Sequence, residues 1–237
     1  MSKAELDFTH RAHLSEWMDE PCTFEDFRAC LHDLQQVNTV TLARRATLHW
    51  LRQLPRGGEP LHIVDVGCGG GDTLRHIERA ARQWKLPVRL TGIDLNPYAA
   101  RAAMEFTPAG SAIAWVTGDA FSYRAAPVDV VISSLFTHHL PDAEIVQFLR
   151  WMTDTARMGW FVNDLSRAAM PYYAFTILAK AARWHRFVQH DGPVSIRRAF
   201  RAEDWQGYLH AAGLDAAGAV IQPVWPARLC VGWRRAG

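Results

Sequence analysis

The sequence predicts an α/β protein built on a doubly wound, mostly parallel sheet of seven strands. Two observations carry this prediction. Short apolar segments alternate with helical segments over most of the chain, which is typical of a parallel sheet covered by helices on both faces. The first apolar segment also runs through a glycine-rich turn into a helix, an order of elements found where such sheets bind ligands.

Size and charge limit the function. A chain of 237 residues is long enough for one large domain or for a domain with an appendage. Hydrophobic residues make up 49% and charged residues 21%, as in an ordinary globular protein. The net charge of +2 gives no strong attraction to nucleic acids or anionic membranes, so we expect no nucleic-acid partner.

Several features predict a cytoplasmic protein. The N-terminus lacks the apolar core of a secretory signal. The longest uncharged, mostly apolar run, residues 168–179, is too short to span a bilayer, so we expect no integral membrane span. The four cysteines form no C-x-x-C pair, which predicts free thiols rather than disulfides or a zinc site.

Residues 1–57 are predicted to form a helical N-terminal extension. Thr23 is a candidate N-cap, and the helix after it carries apolar residues at steps of three and four: Phe24, Phe27, Leu31, Leu34 and Val37. A second helix, at about 41–54, stops at Pro55. This extension has too few apolar residues to fold alone, and we expect it to pack on the main domain, residues 58–237.

The first part of the main domain is predicted to alternate strands and helices. Five strands are expected at about 61–66, 88–93, 113–116, 128–134 and 158–163. Helices are expected between them at about 72–84, 97–106 and 142–157. Pro97 and Pro141 are start signals for the last two helices.

The segment after the fifth strand is longer than an ordinary connection. Residues 165–200 are predicted to form a helical cap insertion, with one long helical run that ends at about 187. A further helix is expected to end at about 212, with Gly213 as its C-cap. The last two strands are expected at about 216–222 and 227–234.

The glycine turn favours a nucleoside without phosphates. Its spacing is G-x-G-x-G, at Gly67, Gly69 and Gly71, so the dinucleotide fingerprint fails at its sixth position, Asp72. No Gly-Lys-Ser/Thr follows, which excludes the Walker pattern. A carboxylate at a helix N-terminus would also repel a pyrophosphate. An acid at the tip of the second strand, Asp94, suits the two hydroxyls of a ribose.

Four segments in register resemble a known family: Val64–Gly71, Gly92–Pro97, Gly118–Phe121 and Asp129–Leu135. They are similar to the successive motifs of the class I (Rossmann-like) S-adenosylmethionine-dependent methyltransferases of the small-molecule type. The resemblance spans about residues 60–165. It implies S-adenosylmethionine as cofactor and S-adenosylhomocysteine as product. It also implies an antiparallel last strand and an N-terminal extension that lies over the cofactor as a lid.

The resemblance further implies which residues bind the cofactor. The glycine turn would contact the methionine part, Asp94 the ribose, and Asp119 the region of the adenine. The full implied set is Asp65, Gly67, Cys68, Gly69, Gly71, Asp94, Leu95, Asp119, Ala120 and Ser134. In the extension, the candidates for binding the methionine carboxylate are Asn38, Arg44 and Arg45. The alternative is that the glycines only make a turn and the acids only cap helices.

The adjacent residues His138 and His139 follow the fourth strand, whose tip is expected at the ligand-binding edge of the sheet. An imidazole there would act as a general base or orient a substrate oxygen, and His139 is favoured. Alternatively, one histidine packs in the loop and the other contacts solvent. We expect no metal site from these two, because sequence neighbours rarely chelate one ion and no third ligand is evident.

The remaining substrate-binding candidates, besides His138, are Asn163, Arg167, Tyr172 and Tyr173. Helix capping and ordinary core packing are the alternatives for them. The layout after the fifth strand loosely resembles quinone C-methyltransferases and methyltransferases of bacterial aromatic polyketide pathways. We therefore expect O-methylation of an aromatic or polyketide-like acceptor in secondary metabolism. C-methylation of a quinol ring and a non-catalytic cofactor-binding protein are the alternatives, and homodimer formation is left open.

Overall fold

The computed structural model describes residues 6–55, 57–124, 127–214 and 218–235. Seven strands form one sheet: β1 (Leu61–Val66), β2 (Val88–Asp94), β3 (Ala114–Thr117), β4 (Val128–Ser134), β5 (Ala156–Leu165), β6 (Ala219–Val224) and β7 (Arg228–Arg234). The order across the sheet is β3-β2-β1-β4-β5-β7-β6. The predicted α/β class and the seven-stranded sheet are therefore confirmed.

The sheet is mixed. Four strand pairs are parallel: β1–β2, β1–β4, β2–β3 and β4–β5. β7 runs antiparallel to both β5 and β6. Residues 225–227 join β6 and β7 as a tight hairpin. The strand order reverses between β1 and β4, so a crevice is expected outside their carboxyl ends.

Eight α-helices surround the sheet within the described residues: α1 (Phe24–Val40), α2 (Arg45–Arg52), α3 (Asp72–Trp84), α4 (Ala99–Phe106), α5 (Asp142–Thr155), α6 (Ala169–Ala181), α7 (Arg186–Arg198) and α8 (Ala202–Ala212). Successive side chains of a strand point to opposite faces. Val64 and Trp160 accordingly belong to the core beneath α5 and α8, while Ile63 and Phe161 belong to the core beneath α2 and α3. Helices thus cover both faces, as the apolar strands predict.

Helix α1 packs on the rest of the chain through its predicted apolar face. The hydroxyl of Thr23 accepts a hydrogen bond from the backbone N–H of Asp26 at 3.1 Å, which caps the helix. Phe27 and Leu31 pack with Ala102 of α4. The residues one turn further along pack instead against α6 and α7.

Several predicted element boundaries differ from the structure. The second helix of the extension, predicted at about 41–54, is the shorter α2, Arg45–Arg52. The single helical run to residue 187 is two helices, α6 and α7, because the chain turns at residues 182–185 with Arg183 at φ +55°. Helix α7 then continues to Arg198. Helix α5 ends at Thr155, since Ala156 already pairs with Val128 in the sheet.

The other elements lie close to their expected positions. Helix α4 begins two residues after Pro97, and Gly213 ends α8 in the left-handed conformation. β6 begins at Ala219, while residues 216 and 217 of the expected strand lie outside the described residues. Within the ranges described above, no helix is long and apolar enough to cross a membrane.

Candidate active site

A cavity of about 910 Å³ opens at the carboxyl ends of β1 and β4, where the strand order reverses. The glycine turn and the ends of β2, β4 and β5 form one part of its wall. Residues 16–19, helix α1 and the α6–α7 pair form the opposite part. The residues from this opposite part are mainly apolar and include Phe27, Leu31, Leu34, Phe175, Leu178 and Val188.

The glycine turn presents bare backbone to the cavity. Gly67 has φ +69°, and a Cβ at this position would lie 2.6 Å from the Phe136 ring. The backbone N–H of Gly67 donates to the carbonyl of Ile93 at 2.9 Å, which ties the turn to β2. Gly71, also at positive φ, lies behind the turn against Trp115 and does not border the cavity. The residues of the turn that reach the cavity are therefore 67–70.

Asp94 holds the glycine turn in place. One carboxylate oxygen accepts the N–H of Gly69 at 2.8 Å, and the other accepts the N–H of Asn96 at 2.9 Å. Burial raises the pKa of Asp94 even though both hydrogen bonds favour the carboxylate. The glycine turn and the predicted ribose ligand thus share one wall of the cavity.

Asp65 lies beneath this wall with an unusual carboxyl group. It is 2% exposed, and its Oδ1 has no hydrogen-bond partner within the described part of the chain. Burial, followed by the charges of Asp94 and Asp72, raises its pKa well above the usual value. Burial likewise raises the pKa of Cys68, so that this side chain is a thiol rather than a nucleophilic thiolate.

The other predicted cofactor residues also border the cavity: Leu95, Asp119, Ala120 and Ser134. Asp119 has a local role as well, because its carboxylate accepts the N–H of Phe121 at 3.0 Å and caps the 3₁₀-helix Ala120–Ser122. The proposed binding role and the capping alternative are therefore compatible for this residue.

Charges of the extension meet the N-terminus of α3. Arg44 forms an ion pair with Asp72 at 2.5 Å, and the amide of Asn38 donates to the same carboxylate at 3.3 Å. Although burial disfavours its charge, the contacts of Asp72 with His76 and Arg44 lower its pKa. Asn38 and Arg44 border the cavity, whereas Arg45 does not. The charge of Asp72 is thus balanced within the protein.

His138 is buried between two carboxylates. Its Nδ1 lies 2.7 Å from Asp164 Oδ1, and its backbone N–H donates to Asp164 Oδ2 at 3.1 Å. Its Nε2 lies 3.6 Å from Glu16 Oε1, beyond hydrogen-bond distance. Asp164 is fully buried, which disfavours its charge, but the contacts with His138 lower its pKa. An ionised Asp164 favours the imidazole tautomer with the proton on Nδ1 and a free lone pair on Nε2.

His139 has a different environment. Its Nδ1 lies 3.1 Å from an oxygen of Asp19, and its Nε2 lies 3.7 Å from Glu16 Oε2. Burial disfavours the imidazolium, but the contacts with Asp19 and Glu16 outweigh burial and raise the pKa of His139. A histidine with a raised pKa keeps its proton to higher pH, and in that form it cannot act as a base. The structure therefore favours His138 over His139 as a base, contrary to the preference from the sequence.

Glu16 and Asp19 were missed by the sequence reasoning. The cluster that they form with the histidines is held by Arg198, whose guanidinium contacts Asp19 at 3.1 Å and Glu16 at 3.5 Å. Asp191 positions the same segment by accepting the backbone N–H groups of Trp17 and Met18 at 2.8 and 3.0 Å. No local pattern marks these acids, because their partners are more than 100 residues away in the chain.

The predicted substrate residues divide into two groups. Asn163 borders the cavity, but its amide nitrogen already donates to the carbonyl of Ala43 at 2.6 Å. Arg167 lies outside the cavity, where its buried guanidinium binds Asp204 and backbone carbonyls of residues 8, 9 and 199. Tyr172 and Tyr173 also lie outside it: Tyr172 packs on Phe8, and Tyr173 is largely exposed. Arg167, Tyr172 and Tyr173 therefore do not border the cavity in which substrate contacts were expected.

Arg228 is a cavity residue that the sequence did not suggest. Its guanidinium is almost fully buried, and Nη1 has no hydrogen-bond partner among the described residues. Its Nη2 donates to Thr41 Oγ1 at 3.4 Å, and burial lowers the pKa of the guanidinium to about 10. Buried arginines normally have ionic partners, so this side chain is available to an anionic ligand group.

Comparisons with known proteins find methyltransferases. A family model described as "Methyltransferase domain" matches residues 63–159, the segment whose strands end at the cavity. A ubiquinone biosynthesis O-methyltransferase of Methylocella silvestris is 29% identical over 230 residues, which cover 88% of this chain and 81% of that protein.

Two solved structures share the fold at 15% identity. The plantazolicin methyltransferase BamL, in complex with a triazolic desmethylPZN analog and SAH, has a TM-score of 0.60 over 92% of both chains. Human N-acetylserotonin methyltransferase in complex with SAM has a TM-score of 0.63, with 91% of this chain and 57% of that chain covered.

Proposed function

Because this chain belongs to the class I (Rossmann-like) S-adenosylmethionine-dependent methyltransferases, we propose that it methylates a hydroxyl oxygen of an aromatic or polyketide-like small molecule. It is an enzyme that uses S-adenosylmethionine and releases S-adenosylhomocysteine. The observation that carries the proposal is the pairing of His138 with buried Asp164 beside the apolar part of the cavity wall.

The residues of the cavity suit the cofactor. The glycine turn at 67–70 leaves backbone accessible, and Asp94 offers carboxylate oxygens to ribose hydroxyls beside it. The unpartnered Oδ1 of Asp65 suits a hydrogen-bond donor such as the ammonium group of the methionine part. Leu95, Asp119, Ala120 and Ser134 are proposed to contact the rest of the nucleoside. When bound, S-adenosylmethionine supplies an electrophilic methyl group on a sulfonium centre.

His138 is proposed as the proton acceptor. The acceptor hydroxyl would lie at Nε2 of His138, which would take its proton and so prepare the oxygen to attack the methyl group that the bound sulfonium would supply. The sulfur would keep the electron pair of the methyl–sulfur bond that breaks, which leaves S-adenosylhomocysteine. Asp164 keeps the proton on Nδ1 and stabilises the imidazolium that results. His139, held by Asp19 and Glu16, is proposed to orient the acceptor oxygen. Most of the acceleration comes from holding nucleophile and methyl group along one axis.

The apolar part of the wall supports an apolar acceptor. Phe27, Leu34, Phe175 and Leu178 face the cavity and provide burial for rings or alkyl chains. C-methylation of a quinol ring remains the alternative chemistry, since the same base would deprotonate the hydroxyl beside the attacked carbon. The support for C-methylation is the loose resemblance of the layout after β5 to quinone C-methyltransferases. O-methylation is preferred because a ubiquinone biosynthesis O-methyltransferase is among the similar proteins.

The extension, residues 1–57, is proposed to act as a lid on the domain that residues 58–237 form. Glu16, Met18 and α1 border the same cavity as the glycine turn, so a ligand bound there is enclosed by both. Residues 165–200, which carry α6 and α7, are proposed as the cap over the acceptor.

Substitution of each histidine tests the assignment. We expect His138→Ala to lower turnover about 100-fold or more, the usual contribution of a positioned base, while S-adenosylhomocysteine binding persists. We expect His139→Ala to have a smaller effect. Turnover is measured with labelled cofactor against a panel of phenols, quinols and carboxylates, and binding is measured by calorimetry.

The outcomes separate the candidate functions. Added imidazole should restore part of the activity of His138→Ala, because it supplies the missing base. Unchanged turnover in His138→Ala would remove this residue from the mechanism. A wild-type protein that binds the cofactor and labels no compound of the panel would favour the non-catalytic alternative.

A further inference from the structure

We propose that Glu16, His138 and His139 form a binding site for a transition-metal dication such as Zn²⁺, and that the bound ion clamps the N-terminal segment over the cavity. One ligand atom of each residue lies within 4.8 Å of the other two. Two of the residues follow β4, while the third comes from the segment before α1. An ion held by all three therefore joins the lid to the sheet.

The separations suit a shared ion better than direct hydrogen bonds. Glu16 Oε1 and Oε2 lie 3.6 and 3.7 Å from the Nε2 atoms of His138 and His139. Both distances exceed the range of a hydrogen bond. Two ligand atoms that each lie about 2.0–2.1 Å from one zinc ion are about 3.3–3.7 Å apart. The ligand atoms of the three residues lie within 4.8 Å of one another and would close to about this separation around an ion.

Both imidazoles are already oriented as metal ligands usually are. A ligating histidine normally uses its other ring nitrogen to donate to a carboxylate, which fixes the tautomer and the ring plane. Here His138 Nδ1 lies 2.7 Å from Asp164, and His139 Nδ1 lies 3.1 Å from Asp19. In this orientation each Nε2 faces Glu16.

The charge of the cluster also calls for a cation. Glu16, Asp19 and Asp164 are three carboxylates in this cluster. Among the described residues, the guanidinium of Arg198 contacts Glu16 and Asp19 within 4 Å. The three carboxylates thus outnumber this guanidinium, and Glu16 and Asp164 are buried. Arg228 acts on Asp164 only at longer range. A dication would offset this excess, and it would displace any proton from the two Nε2 atoms because metals bind the neutral imidazole.

The donor set selects the class of metal. Two imidazoles with one carboxylate suit Zn²⁺ and neighbouring first-row metals, whereas Mg²⁺ and Ca²⁺ prefer oxygen ligands. Three protein ligands also leave one coordination position open towards the cavity. Since the ion takes up the lone pair of His138 Nε2, the metal-bound protein is a closed form without the proposed base. This last consequence rests on the proposed function, while metal binding itself does not.

Calorimetry on the full-length protein tests the site with the metal alone. We expect Zn²⁺ to bind at one ion per chain, and Glu16→Gln, His138→Gln and His139→Gln each to weaken binding by more than about tenfold. His49→Gln removes an exposed histidine that contacts Gln53, and it should leave Zn²⁺ binding unchanged. Co²⁺ should give the visible absorption of a four- or five-coordinate site in the wild type and lose it in Glu16→Gln.

The clamp is tested by linkage. Zn²⁺ should tighten S-adenosylhomocysteine binding about fivefold or more, and the nucleoside should tighten Zn²⁺ binding by the same factor. EDTA should reverse the effect, and Glu16→Gln should abolish it. Absent Zn²⁺ binding, or equal Zn²⁺ binding in the wild type and the three variants, would overturn the site. Zn²⁺ binding that leaves the affinity for S-adenosylhomocysteine unchanged would overturn the clamp. S-adenosylhomocysteine binding by the metal-free protein remains a separate test of the proposed enzyme.

Discussion

At the scale of single residues, Asp94 combines two roles at one position. Its carboxylate accepts the N–H groups of Gly69 and Asn96, and it borders the cavity beside the glycine turn. Removing the carboxylate would therefore loosen the turn and delete the proposed ribose ligand together. The cost should appear in nucleoside binding more than in global stability.

Asp94→Ala is expected to weaken S-adenosylhomocysteine binding by about 1–3 kcal/mol, the scale of hydrogen bonds to a charged group. Isothermal titration calorimetry measures the change. Asp154→Asn, which removes an exposed carboxylate on α5, is the matched control and should bind as the wild type does. Equal affinities of Asp94→Ala and the control would contradict the ribose assignment.

The same residue predicts a pH dependence. Burial raises the pKa of Asp94, so its protonation begins at a higher pH than for an exposed aspartate. The protonated form accepts hydroxyl hydrogen bonds less well, so affinity for S-adenosylhomocysteine should fall as the pH is lowered towards that pKa. Calorimetry at several pH values should show this fall in the wild type. It should be absent in Asp94→Asn, and an identical profile in both would refute the assignment.

At the scale of elements, the start of α3 depends on Gly71. This residue is the N-cap of the helix at φ +72°, and a Cβ there would collide with the Trp115 ring of β3. The glycine thus serves packing between the turn and the sheet, not contact with the ligand. The family resemblance had implied that Gly71 contacts the cofactor together with Gly67 and Gly69.

Gly71→Ala is expected to lower the free energy of unfolding by about 2–5 kcal/mol, because a strained φ and an overpacked ring contact add up. Gly110→Ala is the control: Gly110 has φ +85° but open space around its Cβ position, so strain alone costs about 1–2 kcal/mol. Urea unfolding measures both. Equal losses in the two variants would show that the contact with Trp115 is unimportant.

The cap after β5 shows a limit of periodicity. Apolar residues recur through 169–187, which predicts a continuous helix, yet α6 and α7 form a hairpin. The turn between them uses Arg183 at φ +55° without a glycine or proline to mark it. Packing of Val188 and Trp184 against α1 decides the turn, and this packing is not encoded locally.

At the scale of the whole molecule, contacts between distant segments close the cavity. Asp191 of α7 accepts the N–H groups of Trp17 and Met18, and Arg167 binds backbone carbonyls of residues 8 and 9. These bonds hold Glu16 and Asp19 against the histidines. The proposed lid is thus fastened by the cap as well as by the sheet domain.

Asp191→Asn is expected to loosen this segment, because one carboxamide cannot accept both N–H groups as the carboxylate does. Hydrogen exchange of residues 16–20 should become faster, and S-adenosylhomocysteine should dissociate faster. Mass spectrometry and stopped-flow fluorescence measure the two effects. Glu203→Gln, which changes an exposed acid in the first turn of α8, should leave both unchanged. Unaltered exchange in Asp191→Asn would contradict the proposed fastening.

The sequence by itself determined the class of fold, the strands β1 to β5, the glycine turn and the acid at Asp94. These features depend on residues that are near one another in the chain: apolar runs form buried strands, and glycines permit a turn at positive φ. The same locality makes the cofactor motifs recognisable in register. The end of α5 and the division between α6 and α7, in contrast, depend on contacts with distant parts of the chain.

The tertiary structure alone decided the chemistry of the histidines. Only folding brings Glu16 and Asp19 to His138 and His139, and only it buries Asp164 against His138. The balance of burial and charge raises the pKa of His139, and this is one reason that His138 is the proposed proton acceptor. Such a balance depends on distances between atoms from remote parts of the chain, and these distances exist only in the folded protein.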